Sequence, residues 1–357
     1  MPDLQATWGY SMAPALCPHC DRRFLIRDDG VDVRCPHCFE AILARIDAQE
    51  VTYLDAVSPE QVVPFEIQEA QIDEAIETFA GRIPYAPEDL SPAVLRSRVR
   101  KLYLAHWLVD REVAALWEAE VGFDYEVVSH QERYADGRGW QTQEVTEDRI
   151  RWEPRVGRLR RRYENVTVSA LKDLGLVRSL GGYAFHAARA YTPHDLGEVT
   201  IRLPDRSPET AWPGAVPRVR SRAATECQRA AQAQHIRGFR WSVNYGAPTW
   251  TLLLLPAVTA YYLDDEEQVH PVWINGQSGQ IHGPRRASMQ RAWRRTGLIA
   301  AIAVVVFVLS LLLGGIGLMV PPLVVLAAVG GVLALVIAMG AMIPVLRAWS
   351  FNRQQSP

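Results

Sequence analysis

The strongest constraint on the fold is a run without charged side chains, residues 297–346, near the end of this 357-residue chain. It holds two apolar segments, 297–319 and 322–346, and each exceeds the roughly 20 residues that a helix needs to cross about 30 Å of hydrocarbon. The alternative is a buried helix of a soluble protein, but such helices rarely run this long without a charge. The pattern therefore predicts two transmembrane helices.

The break between the two segments predicts a helical hairpin. Pro321 and Pro322 interrupt the helical hydrogen bonding, and three glycines shortly before them favour a tight reversal over one long helix. Arginine lies at both ends of the hairpin: Arg285, Arg286, Arg291, Arg294, Arg295, Arg347 and Arg353. Because Lys and Arg are retained on the cytosolic side, we expect a multi-pass protein of the cell (inner) membrane with both termini in the cytosol. No apolar stretch near Met1 resembles a signal peptide.

Charge is distributed unevenly along the chain. All 40 Asp and Glu residues lie at or before Glu267, while seven of the 38 Lys and Arg residues follow it, so the first 267 residues hold 31 basic groups. The body of the protein is therefore acidic. Since phosphate binding depends on clustered Lys and Arg, this balance disfavours nucleic acid as a partner.

Four of the five cysteines lie in two identical CPHC tetrads: Cys17, Cys20, Cys35 and Cys38. A Cys-x2-Cys turn supplies two thiolates to one metal ion, and two such turns complete the tetrahedral shell of zinc. A pair of disulfides is the alternative, which a reducing cytosol disfavours. Since four thiolates leave no open position for water, the predicted zinc is structural.

The segment between the tetrads completes the prediction of a zinc ribbon over residues 1–50. DRRFLIRDDGVDVR has the pattern of a strand, a turn at Asp29-Gly30 and a second strand. His19 and His37 are possible ligands in place of a cysteine, but we expect both rings to point outward because the thiolates already fill the shell. Cys227 is expected to be a small buried residue.

Residues 51–290 are predicted to form a cytosolic α+β domain with antiparallel sheets. Helical spacing of apolar residues predicts a helix in IQEAQIDEAIETFAGR, ending at Gly81, and composition predicts a second over 221–235. Glycines at 137 and 139 mark a turn, and Asn275-Gly276 marks a hairpin. Strands are predicted over 102–109, 121–156 and 163–171, and in GFRWSVNYG, TWTLLLLPAVTAYYL and QVHPVWINGQSGQIHG. Residues 347–357 form a short cytosolic tail.

No catalytic motif is recognisable in the sequence. The chain contains no Walker loop, no G-x-S-x-G, no H-E-x-x-H and no G-x-G-x-x-G. His106 is expected to be a core histidine. His194, Asp195 and Glu226 are the scattered residues from which an active site would have to be assembled. We therefore predict that the protein is not an enzyme.

Several stretches together resemble one bacterial family of membrane-anchored zinc-ribbon proteins. They are the two CPHC tetrads, VVPFEI, APEDL, LYLAHW, RWEPRVG with YENVTVSAL, and WINGQSGQIHGPRRAS. Ile274 and Ser278 depart from the Val and Thr usual in the last motif, and LYLAHW lacks the proline of the family's Tyr-x-Pro-x-Trp. Family members are often labelled primosomal or replication-restart helicase-like, or transcription-factor-type zinc ribbons. Some relatives resemble membrane partners of phage-shock and flotillin-like envelope-stress proteins.

The resemblance implies a membrane-tethered adaptor. The leading hypothesis is a non-enzymatic scaffold that recruits proteins to the cytosolic face of the membrane, in envelope stress or membrane organisation, and that can form an oligomer. The alternative is a nucleic-acid-binding zinc ribbon linked to replication or transcription. Without a phosphate-binding loop, the helicase label does not describe a motor here.

Overall fold

The computed structural model describes residues 4–48, 51, 59–135, 139–197, 199–317 and 322–355. It confirms a mixed α+β fold with a large β-sheet. The helices are α1 (Leu4–Trp8), α2 (Glu69–Gly81), α3 (Pro92–Arg98), α4 (Leu174–Ser179), α5 (Pro208–Ala230), α6 (Met289–Gly317), α7 (Pro322–Gly340) and α8 (Ile343–Gln355). The strands are β1 (Met12–Leu16), β2 (Arg23–Arg27), β3 (Ala44–Arg45), β4 (Pro59–Val62), β5 (Arg100–Ala135), β6 (Gly139–Ser169), β7 (Arg189–Ala190), β8 (Thr200–Arg202), β9 (His235–Leu263), β10 (Val269–Asn275) and β11 (Ile281–His282).

The chain divides into two compact units. Unit 1 comprises Met1–Leu104, Asp173–Leu203 and Leu254–Pro357, and unit 2 comprises Ala105–Lys172 and Pro204–Leu253. The cysteine tetrads and the apolar helices thus belong to the same unit. This division differs from the linear segments 1–50, 51–290 and 297–346 drawn from the sequence.

In unit 1 the two strands that flank the first cysteine tetrad, β1 and β2, are part of the main sheet. β2 pairs antiparallel with β8, where Phe24 lies opposite Arg202, and β8 pairs parallel with the first residues of β5, where Leu102 lies opposite Thr200. On the far side of β5 the order continues through β9 and β10 to β11. The ribbon strands therefore extend a sheet whose other members lie far away in sequence.

The strand arrangement predicted between the tetrads is wrong. Only Arg23–Arg27 of that segment is a strand, and it pairs with the preceding β1, with Met12 opposite Arg27. The predicted second strand is reduced to a single bridge between Arg34 and Ile42. β2 pairs with β1 because β1 is apolar and largely buried. Val31, in the predicted second strand, is 59% exposed, so pairing with that segment would bury little apolar surface.

The predicted helix ending at Gly81 is confirmed as α2, which covers the sheet of unit 1. Its apolar stripe, Ile72, Ile76 and Phe79, is buried in a core that also contains Tyr262 of β9 and Ile274 of β10. The stripe has the spacing of one helical face, so the helix forms where that face can be covered by the sheet.

The Asn-Gly hairpin is confirmed between β10 and β11. The buried Asn275 side chain accepts backbone N–H groups of Gln277 and Ser278 at 2.9 and 3.0 Å and donates to the Leu180 carbonyl at 2.9 Å. A Cβ at Gly276 would lie 2.8 Å from the Phe65 ring, so only glycine fits there. The motif thus joins three distant segments of unit 1.

Unit 2 is built on strands far longer than predicted. β5 has 36 residues and β6 has 31, so the separate strands 102–109, 121–156 and 163–171 belong to one hairpin. Strands β5 and β6 pair in antiparallel register from His106↔Ser169 to Ala135↔Gly139. The predicted turn residue Gly137 lies outside the described residues. GFRWSVNYG and TWTLLLLPAVTAYYL likewise form one strand, β9.

Helix α5 covers one face of the unit 2 sheet. The helix predicted over 221–235 begins at Pro208, capped by the Ser207 side chain, and ends at Ala230. From it, Arg222 donates to the Glu164 carbonyl at 3.1 Å, and Glu226 accepts the Tyr163 hydroxyl at 3.0 Å. These contacts hold α5 along β6.

Near the end of the chain, two helices are long and apolar enough to cross a membrane. The first, predicted over 297–319, begins earlier at Met289, because Asp265 accepts the Ser288 hydroxyl and the Gln290 N–H and so caps α6. The second, predicted over 322–346, is divided into α7 and α8 after Gly340. The predicted turn at 318–321 lies outside the described residues.

Helices α6 and α7 pack through small residues. Ser310 of α6 is buried and donates its hydroxyl to the Val306 carbonyl at 2.7 Å. A Cβ at Gly330 of α7 would lie 2.3 Å from that Ser310 hydroxyl, so the glycine permits close approach. The outward side chains of both helices are exposed Leu, Val and Ile, a surface much larger than soluble proteins normally show to water.

After α7 the chain returns to the core of unit 1. Ala348 of α8 is fully buried and Val345 is 7% exposed, both within the core that contains the α2 stripe. Asn352 accepts the Ala287 N–H at 2.7 Å and donates to the Ala287 carbonyl at 3.0 Å. Both ends of the apolar helix pair are therefore fixed to the same folded unit.

The α6–α7 contact predicts unequal effects at two adjacent glycines. Gly330→Leu should destabilise the helix pair by about 1–3 kcal/mol, because the added side chain meets Ser310. Gly331→Leu is the matched control, since no atom lies within 4 Å of its Cβ position. Thermal unfolding of the full-length protein in detergent measures both, and equal melting temperatures would contradict the packing described.

Candidate metal centre

Four cysteine sulfur atoms gather at one point of unit 1. The thiols of Cys17, Cys20, Cys35 and Cys38 all lie within 4.8 Å of one another. The Cys17–Cys38 and Cys20–Cys35 sulfur separations are 3.6 and 3.8 Å. In a tetrahedral site with Zn–S bonds of about 2.3 Å the sulfurs lie roughly 3.8 Å apart. The four residues are therefore close enough to bind a metal ion, with a geometry compatible with zinc.

The two tetrads adopt the same backbone turn. Asp21 N–H donates to the Cys17 carbonyl at 3.0 Å, and Phe39 N–H donates to the Cys35 carbonyl at 3.0 Å. Asp21 and Phe39 each have a positive φ, 52° and 60°. A bulky residue such as Phe39 rarely adopts this conformation, and it persists only when its surroundings enforce it. The sequence repeat is thus a structural repeat, with each turn presenting two thiols.

The thiols lie in an apolar setting. Cys17 and Cys35 are buried, and the small core around them includes Phe24, Ile26 and Leu43. Burial, reinforced by a hydrogen bond to Cys17, raises the pKa of Cys20 to about 12. Burial also raises the pKa of Cys35. Although burial opposes it, hydrogen bonds with Cys20 and His19 lower the pKa of Cys17. Cys20 and Cys35 therefore hold their protons unless a cation compensates the thiolates, and a bound metal ion would provide that compensation.

Neither histidine of the tetrads belongs to the four-residue sulfur cluster. His19 is exposed. His37 is half-buried: its Nδ1 lies 3.3 Å from the Arg202 guanidinium, and its ring centroid lies 5.6 Å from that of Trp273. The His37 ring thus packs the second tetrad against the sheet of unit 1. This role could not be predicted from the position of His37 in the sequence.

Arg202 is a further residue of this region that sequence reasoning missed. It is fully buried on β8, opposite Phe24 of β2, and its guanidinium lies next to His37. A divalent ion bound by four thiolates carries a net negative charge, which a buried cation close by stabilises. No local sequence signal links Arg202 to the tetrads, because strand pairing alone brings it there.

Of the three residues considered for catalysis, Asp195 and Glu226 have structural contacts. His194 is exposed, and Asp195 accepts the Thr192 N–H and hydroxyl, both at 2.8 Å, and pairs with Arg189. Although burial opposes it, these hydrogen bonds hold the pKa of Asp195 below its ordinary value. Glu226 belongs to unit 2, where it also pairs with Arg161 at 3.3 Å.

The core histidine and the acidic loop also have structural explanations. Burial lowers the pKa of His106 to about 3, assisted by the nearby charge of Arg218, so this histidine is neutral. In the DDEE loop, Asp264 accepts backbone N–H groups of Glu266 and Gln268 at 2.9 and 3.0 Å, and it pairs with His270 at 2.8 Å. These contacts shape the turn between β9 and β10.

No protein-family model matches the chain, and no curated protein or solved structure matches it either. The resemblance to membrane-anchored zinc-ribbon proteins therefore stays a prediction.

The cluster predicts that the protein binds one metal ion through the tetrads. Cys17→Ser and Cys35→Ser should each remove most of the bound metal and lower the melting temperature, because metal binding contributes directly to folding. Elemental analysis of the purified full-length protein measures the metal content. Cys227→Ser is the control, since Cys227 lies in unit 2 outside the cluster. Equal metal content in all three variants would rule the site out.

Proposed function

We propose that this protein is a non-enzymatic adaptor, anchored in the cell membrane by α6 and α7, that recruits other proteins to the cytosolic face. Unit 1 supplies the anchor and the metal-stabilised ribbon, and unit 2 supplies the recruiting surface. Each part of the proposal has its own support among the described residues.

The metal ion of this proposal is zinc, and its role is structural. Four thiolates suit zinc, and they fill its tetrahedral shell, leaving no position for a reacting water. The ribbon strands β1 and β2 continue the sheet through β8. Zinc bound there would hold the two cysteine turns to this end of the sheet.

The anchor is supported by the path of the chain. The chain leaves the core of unit 1 along α6 and returns to that core in α8, whose residue Ala348 is fully buried. An even number of membrane crossings follows from this return if the helices span. Exposed Trp293 and Trp349, 54% and 53% accessible, lie beside arginines at the two ends, as is typical of membrane interfaces. The arginines favour the cytosolic side.

The observation that carries the adaptor role is the uncovered face of the unit 2 sheet. Opposite the face covered by α5, the side chains of Leu116 and Val156 are 59% and 81% exposed. They line a shallow groove of about 560 Å³ together with Trp241 and Arg158. Exposed apolar side chains with charged neighbours are typical of protein-binding surfaces.

The side chains that line the groove indicate which kind of surface a protein partner needs in order to bind there. Glu118 and Arg240 pair across it at 3.7 Å, so its charges are partly balanced and its centre is apolar. A partner with an apolar anchor residue and a polar rim complements this arrangement. The same surface is poorly suited to nucleic acid, which demands clustered positive charge.

Crosslinking in intact cells tests the adaptor role. Val156→Ser should lower the yield of the specific protein crosslinks of the full-length chain about tenfold, because an apolar anchor contact is lost. Val128→Ser is the matched control, since Val128 is also an exposed valine of this hairpin, 57% accessible, but lies outside the groove. Mass spectrometry of the crosslinked proteins gives the yields.

Two results would contradict the adaptor role. One is a wild-type chain without specific protein crosslinks at the membrane. The other is an equal loss of crosslinks in Val156→Ser and Val128→Ser, which would place the recruiting surface elsewhere. Membrane fractionation of each variant confirms that equal amounts of anchored protein are compared.

A further inference from the structure

A groove of about 750 Å³ lies in unit 1 where the charged start of α6 meets its apolar stretch. Arg291, Arg294 and Arg295 line it together with Tyr85, from the segment between α2 and α3. Its volume is within the range of roughly 300–1,000 Å³ that is usual for small-molecule sites. The sequence showed the arginines but not the groove.

The groove carries excess positive charge. Arg294 pairs with Glu88 at 3.3 Å, whereas Arg291 donates to the neutral Ala86 carbonyl at 2.6 Å. Arg295 is exposed and has no ion pair within the described part of the chain. One carboxylate therefore faces three guanidinium groups in this groove.

The nearest acidic residues line an adjacent groove that also contains Arg291 and Arg294 but not Arg295: Asp89, Asp264, Asp265 and Glu267. Asp89 binds Arg98 through both oxygens, and Asp264 pairs with His270. Asp265 accepts the Ser288 hydroxyl at 2.7 Å at the start of α6. Arg295, which lines only the first groove, is thus available to bind an anion from outside the chain, with Arg291 one helical turn before it.

The groove is also apolar on the side of the helices. Leu298, Ile299 and Pro344 line it, and the uncharged stretch of α6 begins at residue 297. Exposed Trp293 lies on the same helix, one turn before the apolar stretch. Cationic and apolar surface therefore meet within a single groove, at the level of the predicted membrane boundary.

We propose that this groove binds the headgroup of an anionic phospholipid, with the phosphate held by Arg291 and Arg295 and the first carbons of the acyl chains against Leu298 and Ile299. Guanidinium groups pair well with phosphate oxygens, and the excess positive charge repels a choline headgroup. This inference rests on the membrane anchoring in the proposed function. A lipid bound there would link unit 1 to the bilayer surface.

Titration of the purified full-length protein in a nonionic detergent tests the inference. Short-chain phosphatidylglycerol should raise the melting temperature by mass action, and short-chain phosphatidylcholine should raise it far less. Arg295→Gln should weaken the apparent affinity for phosphatidylglycerol about fivefold, while Arg295→Lys should retain most of it. Arg353→Gln is the control, since it removes the same charge from an exposed site outside the groove.

Three outcomes would overturn the inference. Equal effects of the two lipids would show that the groove does not select a charged headgroup. Equal losses in Arg295→Gln and Arg353→Gln would replace the site with diffuse attraction to basic residues. Full competition by inorganic phosphate would indicate a site for the free anion. Membrane fractionation of the wild type reports anchoring separately, so failure of the lipid site and failure of the anchor are distinguishable.

Discussion

The return of the chain from α7 to the core of unit 1 fixes both ends of the apolar helix pair to one folded unit. Two apolar helices followed by a loose tail would tether a domain but leave its orientation free. Here α8 buries Ala348 among the residues that also cover the sheet, and Asn352 closes two hydrogen bonds with the backbone of Ala287. Because Ala287 lies just before the start of α6 at Met289, these hydrogen bonds join the start and the end of the helix pair. The groove that we propose to bind a lipid headgroup lies at this junction, where Pro344 and α6 line it together.

The cysteine cluster is not an independent module, because its flanking strand and its second tetrad are joined to the main sheet of unit 1. β2 pairs with β8, and buried Arg202 reaches His37 within the second tetrad. A metal ion bound at the cluster would therefore act on one end of the main sheet of unit 1. A closed shell of thiolates at such a place suits a structural role, since it fixes two turns without offering a reactive position.

The sequence predicted the features that depend on local chemistry. The spacing of the tetrads anticipated the four-cysteine cluster, helical periodicity anticipated α2, and the uncharged tail anticipated two long apolar helices. Long-range pairing was not predictable. The partner of β2 is β1 because of what each strand buries, and α5 begins at Pro208 although Pro213 and Pro217 lie inside it, residues that normally disfavour a helix. The docking of α8 and the role of Arg202 depend on contacts across the whole chain.

The most direct test of the account is the sidedness of the helix pair. Met319→Cys places a thiol in the predicted turn segment, which lies outside the described residues, and Ser350→Cys places one on the exposed surface of α8. Each variant is treated in intact cells with a membrane-impermeant thiol reagent, with the parent chain as background. We expect labelling of Met319→Cys from outside, and labelling of Ser350→Cys only after the membrane is permeabilised. Labelling of Ser350→Cys in intact cells would contradict this expectation.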